Sequence, residues 1–169
     1  MKLHYLPLMA AIILTVGCIH QAPLTTEHNI EIDPELPGLW ERVPGEVQGD
    51  PADDLLLILP WSATEYVAQF PRGEKGDIYR VYPVEIGGRR VLQAQSLGSS
   101  WGVVYEGDRM DYPILDYRIV EGILMVSTLN TRVVDENITD SEALREAFLA
   151  NINRQDLFEA PAHYRRAER

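Results

Sequence analysis

The hydrophobic pattern divides the chain into three stretches. Leu6 to Val16 is an apolar run broken only by Pro7 and Thr15, and it ends at Gly17-Cys18. Residues 19–37 are polar, contain Pro23, Pro34 and Pro37, and keep no sustained period, which predicts a flexible tether. From Gly38 onward short alternating runs recur between Gly, Pro, Asp and Asn, as in a small all-β domain. The runs predict strands at Leu39–Val43, Leu55–Leu59, Glu65–Phe70, Ile78–Ile86, Arg89–Leu97, Gly102–Tyr105, Ile114–Val120, Ile123–Thr128 and near His163–Arg166. Gly87-Gly88 and Glu121-Gly122 separate two pairs of these runs. Two residues able to take positive φ suit a primed hairpin turn.

One helix interrupts the pattern. Thr139-Asp140-Ser141-Glu142 offers N-caps and early acids, and Leu144, Phe148 and Leu149 follow at helical spacing to Asn151. The expected architecture is a mainly β protein. A small antiparallel barrel of about eight strands, with one late helix over about 139–151, fills residues 38–169. An apolar stripe on such a helix packs against the barrel.

Residues 1–17 have the layout of an export signal: a short start carrying Lys2, an apolar run too short to span a bilayer, and a small residue before Cys18. Cys18 is the single cysteine, so no disulfide can form within the chain. Thr15-Val16-Gly17-Cys18 resembles the lipobox of bacterial lipoproteins. That resemblance implies cleavage after Gly17 and acylation of Cys18. Several acyl chains on one residue hold a protein durably to a membrane. Ile19, where an aspartate would favour the inner membrane, implies an outer-membrane lipoprotein of the cell envelope facing the periplasm.

Charge narrows the partners. The chain carries 15 Lys and Arg against 26 Asp and Glu, a formal −11; residues 1–17 hold one of the basic residues, Lys2, and no acid. Beyond Lys2 the only lysine is Lys75. Such a surface repels phosphate backbones, which argues against nucleic acid, and it offers no polybasic patch for anionic lipids. Membrane contact is expected to come from the lipid on Cys18.

Gly38-Leu39-Trp40 at the first strand is similar to the G-x-W that opens lipocalin barrels. In that fold the tryptophan closes the barrel floor under an arginine near the last strand, a role the resemblance gives to Arg165 or Arg166. The order of G-x-W, hairpins, Ser-Glu-x-Leu helix, Leu-Phe pair and C-terminal arginine resembles small lipocalin-like bacterial lipoproteins over about residues 38–166.

Motifs for chemistry lack their context. Gly98-Ser99-Ser100-Trp101-Gly102 matches G-x-S-x-G, but strand-like Val103-Val104-Tyr105 follows where a hydrolase needs a helix. The histidines after the signal, His20, His28 and His163, are not at ligand spacing, and Asp50, Asp53 and Asp54 lack the pattern of a calcium loop. No catalytic residue, metal or cofactor is expected.

Aromatic residues are spread over the strands, and an eight-stranded interior can be filled or can hold one small ligand. Tyr66, Tyr79, Tyr82 and Tyr117, with Arg80 and Arg118, are the candidates to line such a cavity. Two readings stay open. One is a non-enzymatic binding module for a small apolar or amphipathic ligand; the other is an envelope accessory protein whose filled barrel works through its surface.

Overall fold

A computed structural model describes residues 20–43, 55–73, 76–107 and 110–167. The signal, Gly17 and Cys18 lie outside the described residues. Eight strands form a closed antiparallel barrel in chain order: β1 Gly38–Arg42, β2 Leu55–Pro60, β3 Tyr66–Phe70, β4 Asp77–Ile86, β5 Arg89–Ser99, β6 Ile114–Val120, β7 Ile123–Thr128 and β8 Ala162–Arg166. Closure comes from β1 pairing with β8, Trp40 opposite Arg166 and Arg42 opposite Tyr164. Closure leaves no open sheet edge.

Alternation decides which side chains enter the barrel, because residues directly opposite each other share a face. Trp40 and Arg42 on β1 face inward with Leu56 and Ile58 on β2 and Tyr66, Ala68 and Phe70 on β3. The same parity continues through Tyr79 and Val81, Leu92 and Ala94, and Leu115 and Tyr117 to Val126, Ala162 and Tyr164.

Strands β4 and β5 are buried on both faces, unlike the others. The outward residues Tyr82, Val84, Ile86, Val91 and Ile114 form a second core outside the barrel with Leu24, Leu129, Val134 and Leu157. Over it lies α1, Ser141–Asn151, whose Leu144 and Phe148 are fully buried. Asp140 caps the helix, its side chain accepting from the Ala143 amide at 2.9 Å.

The hairpin turns are the type expected. Gly87 and Gly88 have φ of 58° and 78°, and Glu121 and Gly122 have 52° and 80°. Positive φ at both positions is the geometry of a type I′ turn, whose twist matches the flanking strands.

Two expectations need correction. Residues 20–37, read as a flexible tether, are strapped along the barrel with Ala22, Leu24 and Leu36 buried. Their contacts come from isolated residues and backbone groups, so they leave no period. Gly102–Tyr105 is not a strand: Val104 makes only an isolated bridge to Gly98. Positive φ at Gly98 and Gly102 folds this stretch back on itself as a loop between β5 and β6.

The barrel has two unlike ends. At one lie the short turns β2–β3, β4–β5 and β6–β7, and the strap reaches it where the Ile32 amide donates to the Ala63 carbonyl. At the other, Arg42, Leu56, Phe70, Pro113, Thr128 and Ala162 ring the interior.

Candidate functional site: a floored barrel with an apolar cavity

Trp40 forms the floor. It is 1 % exposed, its indole N–H donates to the Leu36 carbonyl at 2.9 Å, and the Arg166 guanidinium carbon lies 4.1 Å from its ring centroid. Arg166 is held there by the Pro37 carbonyl at 2.5 Å and the Glu35 carbonyl at 2.6 Å. The ring is buried while the guanidinium over it is exposed, which makes this a cation–π stack at the protein surface. Gly38 has φ of 154°, and a Cβ there would stand 1.7 Å from an Arg166 nitrogen. The stacked arginine therefore requires glycine at this position. Arg165, the other candidate for the stack, points outward and pairs with Glu41 at 2.7 Å.

Above the floor the interior is hollow. A cavity of about 380 Å³ is lined by Leu56, Phe70, Val81, Ala94, Leu115 and Val126, with Tyr79, Arg42 and Tyr164 among its polar-tipped walls. Burial pushes the Tyr79 hydroxyl up to about 12, with Asp77, Tyr105 and Asp111 adding to the effect. It stays a neutral donor throughout the physiological range.

Of the six candidate cavity side chains, Tyr79 alone lines this space. Tyr66 and Tyr117 face inward but belong to the floor. The Tyr66 hydroxyl accepts from the Asp33 amide at 2.6 Å and donates to the Asp33 carbonyl at 3.0 Å, while Tyr117 donates to the Asp33 carboxylate at 3.0 Å. Burial raises the Tyr117 hydroxyl strongly, with Asp33 contributing, and pushes Tyr66 up to about 12. Arg80, Tyr82 and Arg118 have the opposite strand parity and point out of the barrel. Arg118 is exposed. Tyr82 donates to the Thr25 carbonyl at 2.9 Å beneath the strap.

Arg42 was missed by sequence reasoning, which placed it inside a strand without a face. The signal was available: it lies two residues after Trp40, so a floor tryptophan makes it an interior arginine. Its Nε is buried without a hydrogen-bond partner among the described residues.

Outside the barrel, a polar cluster ties down the strap. Glu65, 7 % exposed, accepts from Arg80 Nε at 3.0 Å and meets His28 Nδ1, whose ring is 3.8 Å from that of Tyr82. Burial raises the Glu65 carboxyl, but the hydrogen bonds from Arg80 and His28 outweigh it and leave it below its ordinary value of 4.5. A depressed carboxylate adds stability that is complete above that value and is lost as pH falls through the folded-state value. Glu65→Gln is therefore expected to lower the urea midpoint near neutral pH, with the two proteins converging below about pH 4.5. Urea titrations across that range check this.

The strap also buries His20, whose ring is kept below its ordinary 6.5 by burial, partly opposed by the Val134 and Asp135 carbonyls. The Ser100 hydroxyl donates to the Gly76 carbonyl and accepts from the Gln69 amide, both at 2.7 Å, so it staples two loops together. Among the described residues no three His, Cys, Asp or Glu converge as metal ligands, and no helix is long and apolar enough to cross a membrane.

Compared with known proteins, the chain matches no family model, no curated protein and no solved structure.

Proposed function

We propose that this protein is a non-enzymatic, lipocalin-like binding module, held to the cell envelope by lipid on Cys18, that takes a small apolar or amphipathic ligand into its barrel. The observation that carries the reading is the cavity of about 380 Å³. Small-molecule pockets run from about 300 to 1,000 Å³, mostly apolar with a few placed polar groups, and this one fits the lower end. The stacked Gly38, Trp40 and Arg166 floor supports the lipocalin-like reading. On the anchor reading, removal of residues 1–17 leaves Cys18 two residues before the strapped His20. The outer membrane, periplasmic face, is the proposed location.

The alternative, an accessory protein with a filled barrel, has only the filled floor half in its favour. Titration with N-phenyl-1-naphthylamine, a neutral apolar dye, separates the two. Saturable fluorescence enhancement is expected. Ala162→Phe places a ring in the cavity and should weaken the dye at least about tenfold, while changing stability by no more than about 1 kcal/mol, because it fills void rather than displacing packed atoms. No saturable binding to the wild type would sink the binding reading. Intact mass of membrane-purified wild type against Cys18→Ala tests the anchor: acylated residues 18–169, lost in the variant, are expected.

A further inference from the structure

Arg42 is the one guanidinium among the described residues that lines the apolar cavity. Strand pairing turns it inward with Trp40, and its guanidinium carbon lies 5.7 Å from the Tyr164 ring centroid. Among the described residues its Nε is buried without a hydrogen-bond partner and no carboxylate forms an ion pair with it. At Nε the arginine forfeits hydration without recovering it from the described residues. Its planar fork of donors matches one carboxylate bidentately.

Among the described residues, the acids nearest the cavity sit on or beside other strands. Asp77 on β4 accepts from Tyr105 at 3.0 Å, and Asp111 precedes β6, whereas Arg42 is on β1. Burial, and then Asp77, holds the Asp111 carboxyl above the usual range. Wall polarity of this kind directs a negative head towards Arg42 and away from β4. The volume suits one chain or one ring system better than a two-chain lipid. We propose that the cavity's occupant is a single-chain amphiphile whose carboxylate head pairs with Arg42. This rests on the binding reading above.

Displacement of N-phenyl-1-naphthylamine by dodecanoate and by dodecanol tests it, in wild type and in Arg42→Gln. Dodecanoate should bind about ten- to a hundredfold tighter than dodecanol to the wild type, the range of a charge-assisted hydrogen bond. Arg42→Gln should abolish the preference while keeping the dye and dodecanol. Equal displacement by the two from the wild type would overturn the Arg42 assignment and leave the cavity reading intact. That comparison needs no folded variant. Failure of the dye to bind at all would overturn both.

A different observation concerns the mouth. The loop between β5 and β6 is stapled at the mouth end by Ser100 to Gly76, and it exposes Trp101 at 68 %, Val104 at 68 % and Val103 at 44 %. Three exposed apolar side chains within four residues of one loop are not scattered surface positions. The strap runs from the floor to His20, whose carbonyl accepts from the Tyr112 amide just ahead of β6, so its first described residue lies on the mouth half. Two residues of extended chain reach at most about 7 Å, so on the anchor reading the lipid attaches within that distance of His20. We infer that the loop tip is a bilayer contact and that the cavity mouth faces the membrane. Tryptophan prefers the membrane–water interface, and the loop needs no charge attraction to anionic lipid.

Lipidated protein from native membranes, reconstituted into phosphatidylcholine vesicles carrying brominated acyl chains, reads this out through tryptophan quenching. Trp61 serves as the control, being 72 % exposed in the β2–β3 turn at the floor end. Quenching that is lost in Trp101→Ala and kept in Trp61→Phe is expected. Quenching lost in Trp61→Phe instead, or no quenching in vesicle-bound protein, would overturn the orientation. Protein that does not partition into vesicles would overturn the anchor on which the orientation rests.

Discussion

Replacing Trp40 by alanine is expected to remove about 3–5 kcal/mol of folding stability. The side chain is fully buried, and three separate contacts end on it. The indole stacks beneath Arg166, donates to the Leu36 carbonyl and packs with Ile58, Tyr66 and Leu124 in the barrel interior. Alanine would enlarge a void in a barrel that is already hollow, so neighbouring side chains have little reason to collapse inward. It would also leave Arg166 over an empty floor and the Leu36 carbonyl without its donor. Against a domain stability of about 5–15 kcal/mol, a loss of this size brings the protein close to unfolding at growth temperature. Equilibrium urea unfolding, with Arg166→Met as a partner variant, measures it. Arg166→Met should cost less, because the methionine keeps apolar cover over the ring. A Trp40→Ala loss below about 1 kcal/mol would mean that the floor does not hold the barrel closed.

What could be read from the sequence was whatever repeats with the period of its element. The β4–β5 and β6–β7 hairpins were legible because Gly87-Gly88 and Glu121-Gly122 carry the conformational demand of a type I′ turn in their residue types. The helix was legible from its cap and from Leu144 and Phe148, four residues apart. G-x-W led to the floor, although the choice between Arg165 and Arg166 needed the strand parity that pairs Trp40 with Arg166.

The cavity walls were poorly legible for the same reason. Arg80 and Tyr82 lie on a strand whose outer face is covered, so their burial gives no clue to which face is the barrel's. Tyr66 and Tyr117 face inward, but depth along the strand, not parity, decides whether a residue meets the floor or the void. Arg42 could have been assigned from its distance to Trp40; its value as a site comes from a buried Nε with no hydrogen-bond partner among the described residues, which only three dimensions reveal. The strap was the least legible element. Its hydrogen bonds run from single backbone groups to Gln93, Tyr82 and Ala63, and no local pattern encodes them.

The strap makes the second large effect. Leu24→Ala is expected to cost about 2–5 kcal/mol, the usual range for truncating a buried leucine, whereas a tether residue would cost almost nothing. Leu24 is 1 % exposed and belongs to the outer core with Tyr82, Val84, Leu144 and Phe148. Its amide donates to the buried Gln93 side chain at 2.6 Å, and its carbonyl accepts from Arg145 on α1 at 3.2 Å. One residue therefore joins strap, sheet and helix. Loosening it should expose Gln93, which is wholly buried, and weaken the seat of α1 in the same step. Hydrogen exchange adds the second readout: in Leu24→Ala the amides of residues 141–151 should exchange faster along with those of the strap. Fast exchange confined to residues 20–37, with stability unchanged to within about 0.5 kcal/mol, would return this segment to the role of a tether. Coupled loss would instead make the chain that leads from Cys18 a structural part of the barrel. A pull on the anchor proposed at Cys18 would then be felt at the helix as well as at the mouth.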